Sequence, residues 1–310
     1  MVKPEVEALD IDPKTGTTLG FYHFGDERPN ILILSAMEGH AAGCVYTNFL
    51  LMKQLEELNR IDGSISILPV ANPLAFRLGT RVSPLDSQAL DTVFPGSEFG
   101  TLTEKIAWEI WRKASQADFV IHLRSTPHAC VSHVEGLHRE YIHVRNLASQ
   151  IDLPYVVQSS GQRGVLSTEA AHEGIPSVTI NLRGFRDQID PQASVEVREA
   201  ILNFLRIKDM IPGERIETSS TFTGRALQIN STREGFFVPA AGLGENILAE
   251  DVIGTVEGNG KILSPYDGTL LSLSRMSYVF EGDRVATIAS RISETQVISE
   301  EEDATPRRKW

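Results

Sequence analysis

Four consecutive apolar residues, Ile31 to Leu34, are followed by a short loop, Ala36 to Gly43, that carries Glu38 and His40, and then by a helical pattern over about residues 43–59. An all-apolar run this short predicts a strand, 31–35, buried on both faces. In open α/β sheets the loop at the carboxyl end of such a strand, opening onto a helix, is where ligands bind. Ile65 to Val70 repeats the buried-strand pattern, and Asn72-Pro73 ends it, because the residue before proline avoids the helical region. Residues 74–100 then read as one long loop, too rich in Phe76, Leu78, Leu85, Leu90, Val93 and Phe94 to be disordered, and so ordered and functional. A helix is expected over Thr103–Ser115 with Thr103 as its N-cap. Asp118 to Arg124 is a third strand, whose period of two puts His122 and Arg124 on one face.

Before this core, the first thirty residues read as an edge strand and turns, with Thr17–Leu19 and Phe21–Phe24 as short β candidates on either side of Gly20. After it come a stretch of helical character over 138–150, strands at Tyr155–Val157 and Val178–Leu182, and a helix from about Pro191 to Ile207. At Ile211-Pro212-Gly213 the pattern changes to short alternating runs and turns such as Ala241-Gly242, Gly258-Asn259-Gly260 and Tyr266-Asp267-Gly268, which predict a small all-β domain. The expected organisation is an α/β domain over 1–212, a mixed, mostly parallel sheet flanked by helices, then a small all-β domain over 213–292 and a charged, mobile tail over 293–310.

Charge changes this picture only by exclusion. A formal net charge of −12 argues against nucleic acid or an anionic membrane surface as the partner, since both select basic patches. Cys44 and Cys130 form neither a ligand pattern nor a disulfide framework and read as reduced thiols. The N-terminal stretch lacks an apolar signal-like core and no apolar run reaches membrane-spanning length, so a cytoplasmic protein is expected. Histidines 128, 133, 138 and 143 recur every five residues, about 140° apart on a helix, and read as scattered loop and helix-surface residues.

The landmarks taken together resemble the succinylglutamate desuccinylase/aspartoacylase family, which has a zinc-carboxypeptidase-like fold. They are Glu38-Gly39 after the first strand, Val70 to Phe76, Gly79-Thr80-Arg81-Val82-Ser83-Pro84, Asp86 through Leu90 to Val93-Phe94-Pro95-Gly96, the strand end Ile121 to Arg124, Gly174 to Thr179, Ser264 to Gly268 and Glu281-Gly282-Asp283. The resemblance implies a zinc hydrolase, but the residues at its catalytic positions differ. The first histidine ligand falls on Glu38, the glutamate ligand on Ala41 and the strand-end histidine on Arg124. The pair that holds the substrate carboxylate falls on Asp91 and Thr92, and the general base on Asn181, while Arg81, the oxyanion-stabilising position, is kept.

Zinc catalysis needs about three N, O or S ligands and a base for the water. Alanine cannot ligate, a guanidinium repels a dication and an asparagine takes no proton at neutral pH. The expectation is a catalytically degenerate family member with no cofactor. It would be a small-molecule-binding or regulatory protein, a homo-oligomer, or the non-catalytic subunit of a hetero-oligomer with an active paralogue. Its ligand would be an anionic small molecule held by Arg81 and Arg124, with Arg183 alongside. The alternative keeps zinc at a relocated site made by Glu38, His40 and His122, in a deacylase of an N-acyl amino acid or related amide. Two metal-free arrangements are also open: a buried pair between His122 and Glu38, and an ion pair of Arg124 with Glu38 or Asp91.

Overall fold

The structure, a computed structural model, describes residues 1–126, 128–184, 188–256 and 260–292. The expected tail, 293–310, and the Gly258-Asn259 turn lie outside the described residues. The chain divides into two compact units, Met1–Ser220 and a second beginning at Thr221. The divide falls after Ser220 because the residues leading to it are tied to the first unit. Asn203 both donates to and accepts from the Ile216 backbone, and the Thr218 hydroxyl donates to the Ser149 carbonyl at 2.6 Å.

In chain order the first unit runs Glu5–Asp12 (β1), Thr17–Phe24 (β2), Asn30–Ser35 (β3), Ala42–Glu56 (α1), Ser64–Leu68 (β4), Pro73–Leu78 (α2), Leu102–Ala114 (α3) and Phe119–Ser125 (β5). It continues with Ala129–Cys130 (β6), His133–Gly136 (β7), Ile142–Ala148 (α4), Tyr155–Gln158 (β8), Leu166–His172 (α5), Ser177–Leu182 (β9) and Pro191–Ile207 (α6). The sheet has the order β1-β2-β4-β3-β5-β9-β7-β8. Its centre, β4-β3-β5-β9, is parallel; β1, β2 and the β7–β9 junction are antiparallel. One face packs Leu32, Leu34 and Val120 against Ile106, Ala107 and Ile110 of α3 and Leu166 of α5, each buried Val, Leu or Ile adding about 1.5–3 kcal/mol.

Several expectations are corrected. The loop from 74 onwards begins as a helix, because Asn72 accepts from the Ala75 amide as N-cap, Pro73 sits at the first helical position and Gly79 ends it at φ 64°. Asn72-Pro73 therefore starts an element as well as ending one. The N-cap of α3 is Thr101, in a reciprocal capping box with Glu104; the Thr103 amide and hydroxyl instead both donate to Asp86. β2 runs unbroken through Gly20, and β1 pairs with it along its length. The helix expected over 138–150 is confined to α4. His133 and His138 are buried rather than on the surface.

The second unit is all β: Thr221–Asn230 (β10), Gly235–Pro239 (β11), Asn246–Ile247 (β12), Val252–Val256 (β13), Gly260–Leu263 (β14), Gly268–Leu273 (β15), Ser277–Val279 (β16) and Arg284–Ser290 (β17). Its strands form the antiparallel sets β10-β17-β15-β12 and β14-β13-β11-β16 around Phe237, Ile253, Leu270, Val285 and Ile288. Among the described residues no helix is long and apolar enough to cross a membrane.

Candidate functional site

The parallel strands change direction of progression between β3 and β5: from β3 the chain moves outward to β4, then returns to β5 and β9 on the other side. Ligand crevices form at such a switch point, beyond the carboxyl ends of the strands. Here those ends carry Glu38 and His40 after β3, and His122 and Arg124 on β5.

The loop after β3 is held tightly. Ala36 is fully buried at φ 54°, a left-handed conformation that costs an alanine strain. The Ala71 and Asn72 amides donate to the Ser35 and Ala36 carbonyls at 2.9 Å. Gly39 donates to the Thr80 carbonyl at 2.8 Å, and a Cβ there would lie 2.1 Å from the Ala75 carbonyl oxygen. Glycine is required by this close approach, and the approach brings Arg81 beside Glu38.

Glu38 is the centre of the first group. Its Oε2 lies 2.8 Å from His40 Nε2, in an ion-pair contact whose direction falls short of a hydrogen bond, so that the buried Nε2 has no aligned partner. Arg81 Nε stands 4.0 Å from Glu38 Oε1, and Arg81 Nη2 donates to Asp91 Oδ2 at a long 3.4 Å. The Arg81 side chain is 61% exposed, whereas those of Glu38 and Asp91 are 13% and 16% exposed. Burial pushes the Glu38 carboxyl upward, but His40, Arg124 and Arg81 outweigh it and hold Glu38 below the usual range. Asp91 goes the other way: burial and then the Glu38 charge raise it, with Arg81 only partly opposing. Their surroundings thus push the proton affinities of these two neighbouring carboxyls in opposite directions.

The second group lies on the sheet. Register places Arg124, Asn181 and His133 in one row across β5, β9 and β7, and His122, Thr179 and Glu135 in the next. Arg124 Nε donates to Asn181 Oδ1 at 2.8 Å and Nη2 to Glu135 Oε2 at 2.5 Å. Asn181 Nδ2 also donates to Glu135, at 3.3 Å. Burial would raise the Glu135 carboxyl, but Arg124, His133 and Asn181 hold it down. Burial alone would ease the proton off Arg124; Glu135 and Glu38 reverse this and fix its charge. His122 is 6% exposed. Burial and then the Arg124 guanidinium push it down to about 3, so it is a neutral imidazole at physiological pH.

The site therefore gathers Glu38, His40, Arg81, Asp91, His122, Arg124 and Asn181. The pairings differ from expectation: Glu38 meets His40 rather than His122, and Arg124 bonds Glu135 and Asn181 rather than Glu38 or Asp91. The Thr92 hydroxyl is spent on the Ala89 carbonyl. Arg183 is turned away to Asp190 and Glu196 and does not join the other arginines. Glu135 was not anticipated; its one signal is the alternation His133-Val134-Glu135-Gly136 inside a stretch dominated by histidines. Cys44 and Cys130 are buried and free, and burial pushes the Cys44 thiol up to about 12, leaving it inert.

The donor set does not fit the family's zinc. Ala41 offers a methyl group, and Arg124 presents a guanidinium already committed to a carboxylate. Among the described residues no three His, Cys, Asp or Glu side chains are grouped to hold a metal ion. Glu38 and His40 make contact, but His122 does not complete a set with them.

A parallel-centred α/β unit with its charged cluster at the switch point, followed by an antiparallel β unit, defines the class to which the chain belongs. The sequence model of the succinylglutamate desuccinylase/aspartoacylase catalytic domain matches residues 27–208, and the chain belongs to that family. No curated protein sequence matches it. Its fold is that of solved structures of low identity. A succinylglutamate desuccinylase/aspartoacylase from Rhodobacter sphaeroides is 17% identical, with TM-score 0.80 over 95% of this chain and 96% of that one. The product-bound ectoine utilization protein EutE (DoeB) of Ruegeria pomeroyi is 19% identical, with TM-score 0.80 over 93% and 98%. An aspartoacylase family protein of Mesorhizobium loti is 20% identical, with TM-score 0.77 over 94% and 99%.

Proposed function

We propose that this chain is a metal-free, non-hydrolytic member of its family that binds a small molecule carrying an anionic group. The observation that supports this most is Arg124. At the strand end where the family resemblance expects a zinc ligand, a permanent cation is clamped by Glu135 and Asn181. A charge fixed in this way repels a dication. Asn181, at the general-base position, is consumed in the same clamp and cannot accept a proton from water. Arg81 has long contacts and an exposed side chain, and it is the group free to meet a ligand carboxylate. In the cell such a protein would serve as a binding or regulatory protein, as a homo-oligomer, or as the non-catalytic subunit beside an active paralogue. Co-purification of a second family member would identify the last role.

The test is zinc stoichiometry by elemental analysis after zinc loading and desalting, with Glu38→Ala and His122→Ala in parallel. The expected result is no retained zinc. About one zinc per chain, lost in both variants, would overturn the proposal in favour of a deacylase with a displaced metal site.

A further inference from the structure

The antiparallel set β14-β13-β11-β16 packs one face on the core of the second unit, through Phe237 and Val279, and turns the alternate positions outward. Along β11 and β16 those outward positions are apolar. Phe236 stands opposite Tyr278 in the β11–β16 register, their rings edge to face at 5.4 Å. Phe280 makes a second such contact with Tyr278, also at 5.4 Å. Val238 follows Phe236 on the same face, and the register carried one residue beyond the paired stretch brings Met276 to its level. Phe236, Val238, Met276, Tyr278 and Phe280 are 49%, 38%, 67%, 50% and 60% exposed. Among the described residues β16, which carries Tyr278, is the edge strand of its set.

A single exposed apolar side chain is ordinary, whereas a contiguous row of them marks a contact surface. With about 200 Å² for a fully exposed aromatic side chain, the three rings, Val238 and Met276 together leave roughly 500 Å² of apolar surface in water. Two copies would bring together ~1,000 Å², which matches the apolar share, ~65%, of a standard ~1,600 Å² interface between identical chains. Charge favours the same partner. The chain has a formal net charge of −12, so two copies meet most easily on a neutral face. The row holds no acid or base apart from the Tyr278 phenol, and its neighbours in the chain carry both signs, Glu234 and Glu281 against Arg233 and Arg275. Aromatic rings are also self-complementary, since the positive edge of one fits the negative face of another. With only three residues, β16 offers little backbone for strand addition, so side chains must supply the contact.

We infer that two copies of this chain associate through this face into a dimer, the Phe236, Tyr278 and Phe280 rings of one copy packed on those of the other. A surface that meets itself closes about a two-fold axis and leaves no second patch on which a filament could grow. The inference concerns the second unit alone and stands whether or not the centre in the first unit holds a metal.

The experiment is sedimentation velocity of the full chain from about 1 to about 100 μM, the range in which interfaces of this size begin to assemble. The wild type should be a dimer at the upper end. Tyr278→Glu places a charge at the centre of the row and should weaken association by roughly tenfold or more. Leu248→Glu, at a position 53% exposed outside the row, should leave it unchanged. Should Tyr278→Glu fold poorly, hydrogen exchange of the unaltered protein at the two ends of the range makes the same test, with residues 235–239 and 276–280 protected only at the higher concentration. A chain that stays monomeric throughout, a dimer indifferent to Tyr278→Glu, or one that leaves these segments unprotected overturns the inference. So does a chain ending at residue 292 that dimerises where the full chain does not, since residues 293–310 would then be what covers the row.

Discussion

Acid should weaken this protein through one residue well above the pH at which its carboxylates titrate. His122 is 6% exposed, and burial with the nearby Arg124 charge lowers it from 6.5 to about 3. Its folded-state value is depressed, so the unfolded chain binds the proton more readily. The stability this supports is fully present above 6.5 and is lost as pH falls toward 3. At ~1.36 kcal/mol per unit, the whole window is worth about 5 kcal/mol, and the part already lost at pH 5 is about 2 kcal/mol. Urea unfolding of the wild type and His122→Gln at pH 7.5 and pH 5.0, followed by circular dichroism, isolates it. Burial also depresses His133 and His143, but both are present in the two proteins and drop out of the difference. The wild type should lose about 2 kcal/mol more than the variant on acidification. An equal loss in both would refute the assignment, as would a ring titration by NMR with its midpoint near 6.5.

The Arg124–Glu135 clamp should show the asymmetry of a pair largely withdrawn from water. Arg124→Met strands the Glu135 carboxylate and should cost about 2–3 kcal/mol in urea unfolding, less than a fully buried pair because both side chains retain some exposure. Arg124→Met with Glu135→Leu should recover most of that loss; a double variant no more stable than the single would contradict the pairing. Gly39→Ala drives a methyl group into the Ala75 carbonyl and the Thr80 backbone, at 2.1 and 2.5 Å. It should cost on the order of 2 kcal/mol and lower the melting temperature, while an unchanged melting temperature would mean the loop is not held as described.

The buried parallel strands were legible because their signal is local. Ile31 to Leu34 is apolar on both faces, and few other arrangements accept such a run, while Val178 to Leu182 alternates its apolar Val178, Ile180 and Leu182 with Thr179 and Asn181 in the period of a strand. The short helices were not legible. α5 begins after Val165 with no side-chain cap, and its seven residues are too few for the period of a helix to stand out. α2 was hidden by a true rule applied to one side only. Proline after Asn72 ends the preceding strand, yet the same two residues are a cap and a first helical position.

The candidate site divides along the same line. Glu38, Arg81, Asp91, Arg124 and Asn181 could be placed together because each sits on a landmark of the family. Their partners could not be named, since pairing depends on register across the sheet. Arg124 and Asn181 are 57 positions apart in sequence yet adjacent between β5 and β9. Glu135 reaches them only because β7 runs antiparallel to β9 and sets His133 opposite Asn181. Had β7 been shifted by one residue, Val134 would face the guanidinium and Glu135 would point to the other side of the sheet. The charge that makes Arg124 tolerable at a strand end is therefore supplied by a strand whose direction the local sequence does not encode. A loss of metal ligands can be read residue by residue. The compensation that stabilises what replaced them is a property of the assembled sheet.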